Sequence, residues 1–133
     1  MGMITYLQPV HGEEPAGVEV DIDKSAYELI EGLDALGLNG NVIVMGYLGS
    51  GEDPDDDNGA VSDTHLDPEQ VQWNWQHLQA VTSERFLAAF KATNLGASFD
   101  DQDNDYFQAH FMTLRDVYRT AADAGAGIKI TTC

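Results

Sequence analysis

The chain is strongly acidic, and its charge is distributed unevenly along the sequence. It carries 23 acidic residues against 6 Lys and Arg, for a formal net charge of -17 over 133 residues. No Lys or Arg occurs between Lys24 and Arg85, a stretch that holds 12 carboxylates. Because like charges repel and unpaired carboxylates are costly to bury, these side chains must stay solvated in any fold that forms. A minority of apolar segments must therefore build the core.

The composition is that of one folded domain. Hydrophobic residues make up 43% of the sequence, including 2 Trp, 5 Tyr and 5 Phe, which is too much for a disordered acidic tail. The length predicts a single domain, residues 1–133, with a buried core. The charge argues against binding to nucleic-acid phosphates or anionic lipid, and it favours a basic protein, cations or a high-salt environment.

Cysteine usage and the amino-terminal sequence bear on location. Cys133 is the single cysteine, so no disulfide can form within the chain. The first residues contain neither a basic segment nor a long apolar run, and no stretch approaches the roughly 18 apolar residues of a membrane span. We expect a cytoplasmic protein without a membrane segment.

Apolar runs predict the strands. Residues 3–7 and 128–132 are short apolar stretches suited to strands, and residues 18–22 alternate apolar and acidic side chains. The densest run, within residues 41–48, predicts a buried central strand. Residues 8–17 contain two Pro and two Gly and predict a loop.

Helical spacing predicts four helices, over residues 24–36, 68–80, 83–93 and 105–124. Asp23 is the predicted cap of the first helix, and Tyr27 is predicted to face the core beside Ile30, Leu33 and Leu36. The last helix has one apolar stripe: Phe107, Phe111, Leu114, Val117, Tyr118 and Ala121. The predicted fold is α+β, with a mixed or antiparallel sheet packed against three to four helices.

Two acidic loops, over residues 49–66 and 94–104, are the first candidate site. We predict that their carboxylates form one negative face that binds a partner. The candidate partner-binding residues in these loops are Asp53, Asp55, Asp56, Asp57, Asp100, Asp101 and Asp103.

Neither acidic loop matches a calcium-binding loop. Counted from Asp53, the glycine falls at the seventh position instead of the sixth, and Thr64 occupies the position of the bidentate carboxylate. The segment from Asp101 to Asp105 has Tyr106 where the glycine belongs. A solvated acidic loop is the simpler interpretation, so no metal is predicted.

Other chemistry finds little support in the sequence. Zinc sites favour closely spaced ligands, and no two of the four histidines are so paired: His11, His65, His77 and His110. The segment Gly49-Ser50-Gly51 lacks the longer motif that surrounds the nucleophilic serine of a hydrolase. The glycine-rich stretch over residues 46–51 has no Lys, so it does not match a phosphate-binding loop. Chance pairs among so many carboxylates carry no information about sugar hydrolysis. We predict no catalytic residue and no cofactor.

Two tryptophans on one predicted helix complete the candidate site. Trp73 and Trp75 are two residues apart, so they point in different directions from the helix. One can pack on the core while the other is exposed as an interface anchor, or both can be partly buried.

Four segments of the sequence can be compared with known domains: residues 1–4 (Met-Gly-Met-Ile), 21–24 (Asp-Ile-Asp-Lys), 66–71 (Leu-Asp-Pro-Glu-Gln-Val) and the predicted helix over 107–122. Together they resemble the YfbM-like family of uncharacterised bacterial domains. That family places a long helix between the first two motifs, where this chain has residues 5–20, predicted mainly as loop. The resemblance implies an α+β fold and no particular activity.

Three functional classes fit these observations. The first is a non-catalytic protein that binds a basic partner, such as a bacterial immunity protein that inhibits a toxin. The second is an acidic domain from a salt-loving organism, in which the charge serves solubility. The third is a carboxylate-based enzyme. The concentration of acids in two loops favours the first, because a halophilic surface is acidic all round.

Overall fold

The fold is organised around an antiparallel sheet. The computed structural model describes residues 4–46 and 62–132. Its strands, β1 to β5 in chain order, span Thr5–His11, Glu14–Pro15, Val20–Asp21, Ser62–Leu66 and Gly127–Thr132. Their order is β2-β1-β5-β4, and β3 also pairs with β1. The two ends of the described chain are therefore neighbouring strands, with Leu7 opposite Ile130.

Helices pack against this sheet and against each other. Within the described ranges, α1 to α5 span Ala26–Ala35, Pro68–Leu78, Ser83–Lys91, Asn94–Ala97 and Asn104–Ala124. Helix α5 packs on β1, α2 packs on β5, and α1 packs on α3. The predicted α+β class, with an antiparallel sheet and helices near 24–36, 68–80, 83–93 and 105–124, is confirmed.

The core lies between α5, α3 and the sheet. All six predicted stripe residues of α5 are buried, as their helical spacing requires. Phe111 stacks on Phe86 with ring centroids 4.5 Å apart, and Phe107 lies 4.9 Å from Phe90. Burying each such side chain contributes about 1.5–3 kcal/mol, so this cluster is a main source of stability.

The central strand predicted over residues 41–48 is wrong for its described part, residues 41–46. Residues Asn41–Met45 form a π-helical turn, and Gly46 ends it in the left-handed conformation with φ 77°. A short apolar run is compatible with either a strand or a buried helical segment. Here the Asn39 side chain accepts a hydrogen bond from the Val42 amide at 3.2 Å and so favours a helical start. The run is nevertheless buried as predicted, at Val42, Ile43 and Val44.

The fourth strand was not predicted. Residues 49–66 were assigned to a loop, but Ser62–Leu66 forms β4 and pairs with β5. This segment contains one large apolar residue, Leu66, which is buried. In the described sheet β4 is an edge strand, and polar edge strands lack the apolar pattern that identifies interior ones.

Strand β1 is longer than predicted. The loop prediction over residues 8–17 rested partly on Pro9, yet Pro9 lies inside β1 opposite Ile128. The Pro9 carbonyl accepts a hydrogen bond from the Ala16 amide at 2.8 Å, so both backbone groups of Pro9 face away from β5. On that side of β1, strand β2 pairs with residues 10 and 11 and strand β3 pairs with residues 6 and 7. Pro9 lies between these paired segments, so its lack of an amide hydrogen removes no hydrogen bond from the sheet.

The start of α1 also differs from the prediction. Asp23 is not the cap: it has a left-handed φ of 51°, and Ser25 occupies the N-cap position. The Ser25 hydroxyl donates to the Ile22 carbonyl and makes no cap hydrogen bond. The buried stripe of α1 consists of Ala26, Leu29, Ile30, Gly32 and Leu33. Tyr27 lies outside that stripe and is 78% exposed, so its predicted place in the core is wrong.

Candidate functional site

Helix α2 presents the candidate site, and its first turn is fixed by its sequence. The Asp67 carboxylate accepts a hydrogen bond from the Gln70 amide at 2.8 Å, and Pro68 occupies the first turn. An acceptor side chain at the cap, Pro in the first turn and Glu69 near the positive end of the helix dipole all favour a helix start here. The helix buries Val71, Asn74 and Leu78, so its opposite face is directed to solvent.

Trp73 lies on that solvent-directed face. Its side chain is 60% exposed, and its ring meets the His77 ring edge-on with centroids 5.0 Å apart. His77 follows Trp73 by four residues, so the two side chains share a face of the helix. Large exposed aromatic rings are typical of interface anchors.

Trp75 has a different environment. It is partly buried against the core, and the Arg115 guanidinium lies 5.4 Å from its ring centroid. Arg115 also donates a hydrogen bond to the Gln79 carbonyl at 2.7 Å. Of the two candidate anchors, the structure therefore exposes Trp73 and packs Trp75 within the protein.

A buried polar network holds α2 in position beneath Trp73. The Tyr118 hydroxyl donates to the Ile43 carbonyl at 2.7 Å and accepts from the Asn74 amide at 3.2 Å. Gln70 in turn donates to the Asn74 side-chain oxygen at 2.9 Å. Burial raises the pKa of Tyr118, so the hydroxyl stays protonated and keeps its donor role. The network joins α2, α5 and the π-helical turn.

Two surface depressions meet at Trp73. One, of about 220 Å³, separates α2 from the segment that follows α1, and it is lined by Gly37, Leu38, Asn39, Ile43, Trp73, Asn74 and His77. The other, of about 480 Å³, lies along the exposed side of α2 and is lined by Asp67, Glu69, Gln70, Gln72, Trp73 and Gln76. Trp73 thus separates an apolar groove from an acidic one.

The second acidic segment is more ordered than predicted. Residues 94–104 were assigned to a loop, but they include α4 and a 3-10 turn at Asp101–Asp103. Thr93 caps α4 by accepting a hydrogen bond from the Gly96 amide at 2.9 Å. Polar and small residues dominate this segment, so its short helices leave no periodic apolar signal.

The carboxylates of this segment point mainly to solvent. Asp100 and Asp101 are exposed, while Asp103 is half-buried. Lys91 reaches them from α3: it donates to the Phe99 carbonyl at 2.7 Å and lies 3.8 Å from Asp101. The segment is therefore acidic but not free of cations.

The first acidic loop falls largely outside the described part of the chain. Asp53, Asp55, Asp56 and Asp57 lie between residues 46 and 62, beyond the described ranges. That these residues share one face with Asp100, Asp101 and Asp103 stays a prediction.

A contact between distant residues was missed by the sequence analysis. The Tyr106 hydroxyl donates a hydrogen bond to Asp23 at 2.9 Å, and the ring of His110 lies 4.5 Å from that of Tyr106. Partial burial and the bond to Asp23 raise the pKa of Tyr106 to about 12. Tyr106 and His110 are four residues apart and so share a face of α5, but no local signal indicates the bond to a residue 83 positions away.

The described part of the chain contains neither a metal-binding cluster nor a membrane-spanning helix. Over residues 4–46 and 62–132, no three His, Cys, Asp or Glu side chains come together in a way that could hold a metal ion. None of the helices described here is long and apolar enough to cross a membrane.

Comparison with known proteins identifies the fold. No protein-family model and no curated protein matches the sequence. The crystal structure of YfbM from Escherichia coli, a protein of unknown function, matches with a TM-score of 0.62 at 15% sequence identity. The match covers 98% of this chain and 99% of that chain. The chain has the YfbM fold.

The likeness to YfbM confirms the resemblance predicted from the four short motifs. It extends over nearly the whole chain. In this protein residues 5–21 contain the strands β1 to β3. At such low identity the likeness concerns the fold alone.

Proposed function

We propose that this protein acts by non-catalytic binding of a basic protein. The observation that carries the proposal is that several of its few cations are engaged within the chain. Lys91 contacts Asp101, Arg119 lies 3.4 Å from Asp116, and Arg115 binds the Gln79 carbonyl. Most of the carboxylates therefore have no Lys or Arg available to neutralise them, and they give the surface a negative electrostatic potential.

A surface of this kind favours fast capture of a cationic partner. The potential of many like charges steers an oppositely charged protein toward the complex and raises the association rate about 10- to 1000-fold. Affinity then depends on a few desolvated anchors rather than on the charges at the rim. Trp73 provides such an anchor, with Asp67 and Glu69 beside it.

Within this class we propose a bacterial immunity protein that inhibits a basic toxin such as a nuclease. A dense negative surface competes well for a site that binds phosphates, because it offers the same charge without a cleavable bond. Inhibition of this type requires no catalytic residue or cofactor in the inhibitor, and the cytoplasm is where such a toxin would have to be blocked.

The test is capture followed by charge removal. The purified protein is immobilised and exposed to a lysate of the organism that encodes it, and captured proteins are identified by mass spectrometry. We expect enrichment of a basic protein. Asp55→Asn, Asp56→Asn and Asp57→Asn combined should slow its association at low salt without loss of folding. Glu84→Gln, a single exposed change on α3, is the control.

A second candidate is supported by the distribution of exposed acids. Glu14 on β2, Glu84 on α3 and Asp123 near the end of α5 are all exposed, so negative charge is spread over several elements. This spread is expected of an acidic domain adapted to high salt. Folding measured in dilute buffer distinguishes the two, because a halophilic domain loses its structure when screening is removed.

A further inference from the structure

Trp73 combines exposure with a firmly supported backbone. The residue that follows it, Asn74, is 4% exposed and is tied to Tyr118 and Gln70 by hydrogen bonds. The ring is therefore presented from a fixed helix and not from a loop. Preorganisation of this kind reduces the entropy lost on binding.

We propose that Trp73 is the point at which an arginine or lysine side chain of the basic partner docks, with the cation against the indole ring and near Asp67 and Glu69. This inference rests on the proposed function and adds its contact residue and the chemistry of the group bound. The aliphatic part of the incoming side chain packs toward Leu38 and Ile43 in the apolar groove.

The chemistry around Trp73 selects a cation. The polar residues among the described lining of the two depressions are two carboxylates, three glutamines, two asparagines and His77, and there is no Lys or Arg. An indole ring attracts a cation through its negative face, and tryptophan does so best among the aromatic residues. Carboxylates at the rim add attraction and can accept hydrogen bonds from a guanidinium.

The neighbouring tryptophan shows the same recognition within this chain. Arg115 lies over the Trp75 ring and binds the Gln79 carbonyl, which combines a cation–π contact with a hydrogen bond to α2. At Trp73 the described surroundings provide an exposed ring, nearby carboxylates and glutamine side chains. An arginine of the partner would make the same pair of interactions at Trp73: a cation–π contact with the ring and hydrogen bonds to nearby oxygens.

The experiment uses a hexa-arginine peptide as the probe and the uncharged hexa-citrulline peptide as its shape-matched control. Binding to the full chain is measured by isothermal titration calorimetry at low ionic strength. The informative variants are Trp73→Leu, which keeps apolar area but removes the ring, and Trp73→Phe, which keeps a ring. Tyr27→Leu is the matched control, because Tyr27 is an exposed aromatic residue that does not line either depression.

We expect hexa-arginine to bind and hexa-citrulline not to bind. Trp73→Leu should weaken binding about two- to thirty-fold, the range expected for loss of a cation–π contact. Trp73→Phe should retain part of the affinity, Glu69→Gln should weaken binding, and Tyr27→Leu should change it less than about twofold. Circular dichroism confirms that each variant is folded.

Two results would overturn the inference, and they differ in what they imply. Salt-sensitive binding that is equal in wild type and Trp73→Leu would move the docking point elsewhere and leave the proposed function standing. Absence of hexa-arginine binding to wild type, or equal binding of hexa-citrulline, would remove both the docking point and the electrostatic basis of the proposed function.

Discussion

At the scale of single residues, the Tyr118 hydroxyl is the most consequential polar group in the core. Tyr118→Phe removes the hydroxyl that accepts from the Asn74 side-chain N–H and donates to the Ile43 carbonyl, so both buried groups lose that partner. We expect a loss of about 1–3 kcal/mol in the free energy of unfolding, measured by urea denaturation. Tyr27→Phe removes the same atom from an exposed ring and should change stability little. Equal stability of the two variants would show that the network contributes nothing.

Tyr106 gives a prediction about pH. Its pKa is raised to about 12 from 10.0, so the folded state holds its proton more tightly than the unfolded state. Its contribution to stability is therefore complete below about pH 10 and is lost as the pH rises through about 12. Tyr106→Phe should flatten this alkaline decline in denaturation curves. Ultraviolet titration of the phenolate supplies an independent check, and a decline unchanged in Tyr106→Phe would contradict the assignment.

At the scale of elements, Gly46 ends the π-helical turn for two separable reasons. Its φ of 77° is unfavourable for other residues, and a Cβ there would approach Thr64 Cγ2 to 2.7 Å. Gly46→Ala should cost about 1–2 kcal/mol for the conformation alone, plus the contact. Gly125 has a similar φ of 65°, and a Cβ added there would meet nothing within 4 Å. Gly125→Ala therefore measures the cost of the backbone conformation without the cost of a steric contact. Urea denaturation should find Gly46→Ala the less stable; the reverse order would contradict this account of the turn.

Prediction from sequence succeeded for elements with long periodic patterns. The six buried positions of α5 recur at helical spacing over about four turns, and no strand could produce that pattern. The apolar run from Val42 to Met45 is too short for the spacing of its apolar residues to distinguish a helix from a strand. Burial was predictable there because the residues are apolar, but the conformation depends on Asn39, Gly46 and the contact with Tyr118.

The candidate site was predictable only in part. Residues two apart on a helix must face different ways, so the sequence indicated that Trp73 and Trp75 differ but not which is exposed. That choice depends on Asn74, a polar residue buried because Tyr118 on another helix binds it. The bond between Tyr106 and Asp23 likewise depends on tertiary packing, which local spacing does not encode.

At the scale of the whole molecule, the net charge of -17 should make stability depend on salt. Raising NaCl from ~0.01 to ~0.15 M shortens the screening length from ~30 to ~8 Å and weakens self-repulsion. The thermal midpoint should therefore rise over this range. Glu13→Gln combined with Glu14→Gln removes two exposed charges and should make the rise shallower. A midpoint that falls with salt would show that attractive ion pairs outweigh the repulsion.

The central claim is that the acidic surface recognises a basic protein, and the ionic-strength dependence of association tests it most directly. The captured partner is mixed with the protein by stopped flow over ~0.02 to ~0.5 M salt. The account predicts an association rate that falls at least about tenfold, with a much smaller change in the dissociation rate. An association rate that is constant over this range would contradict it.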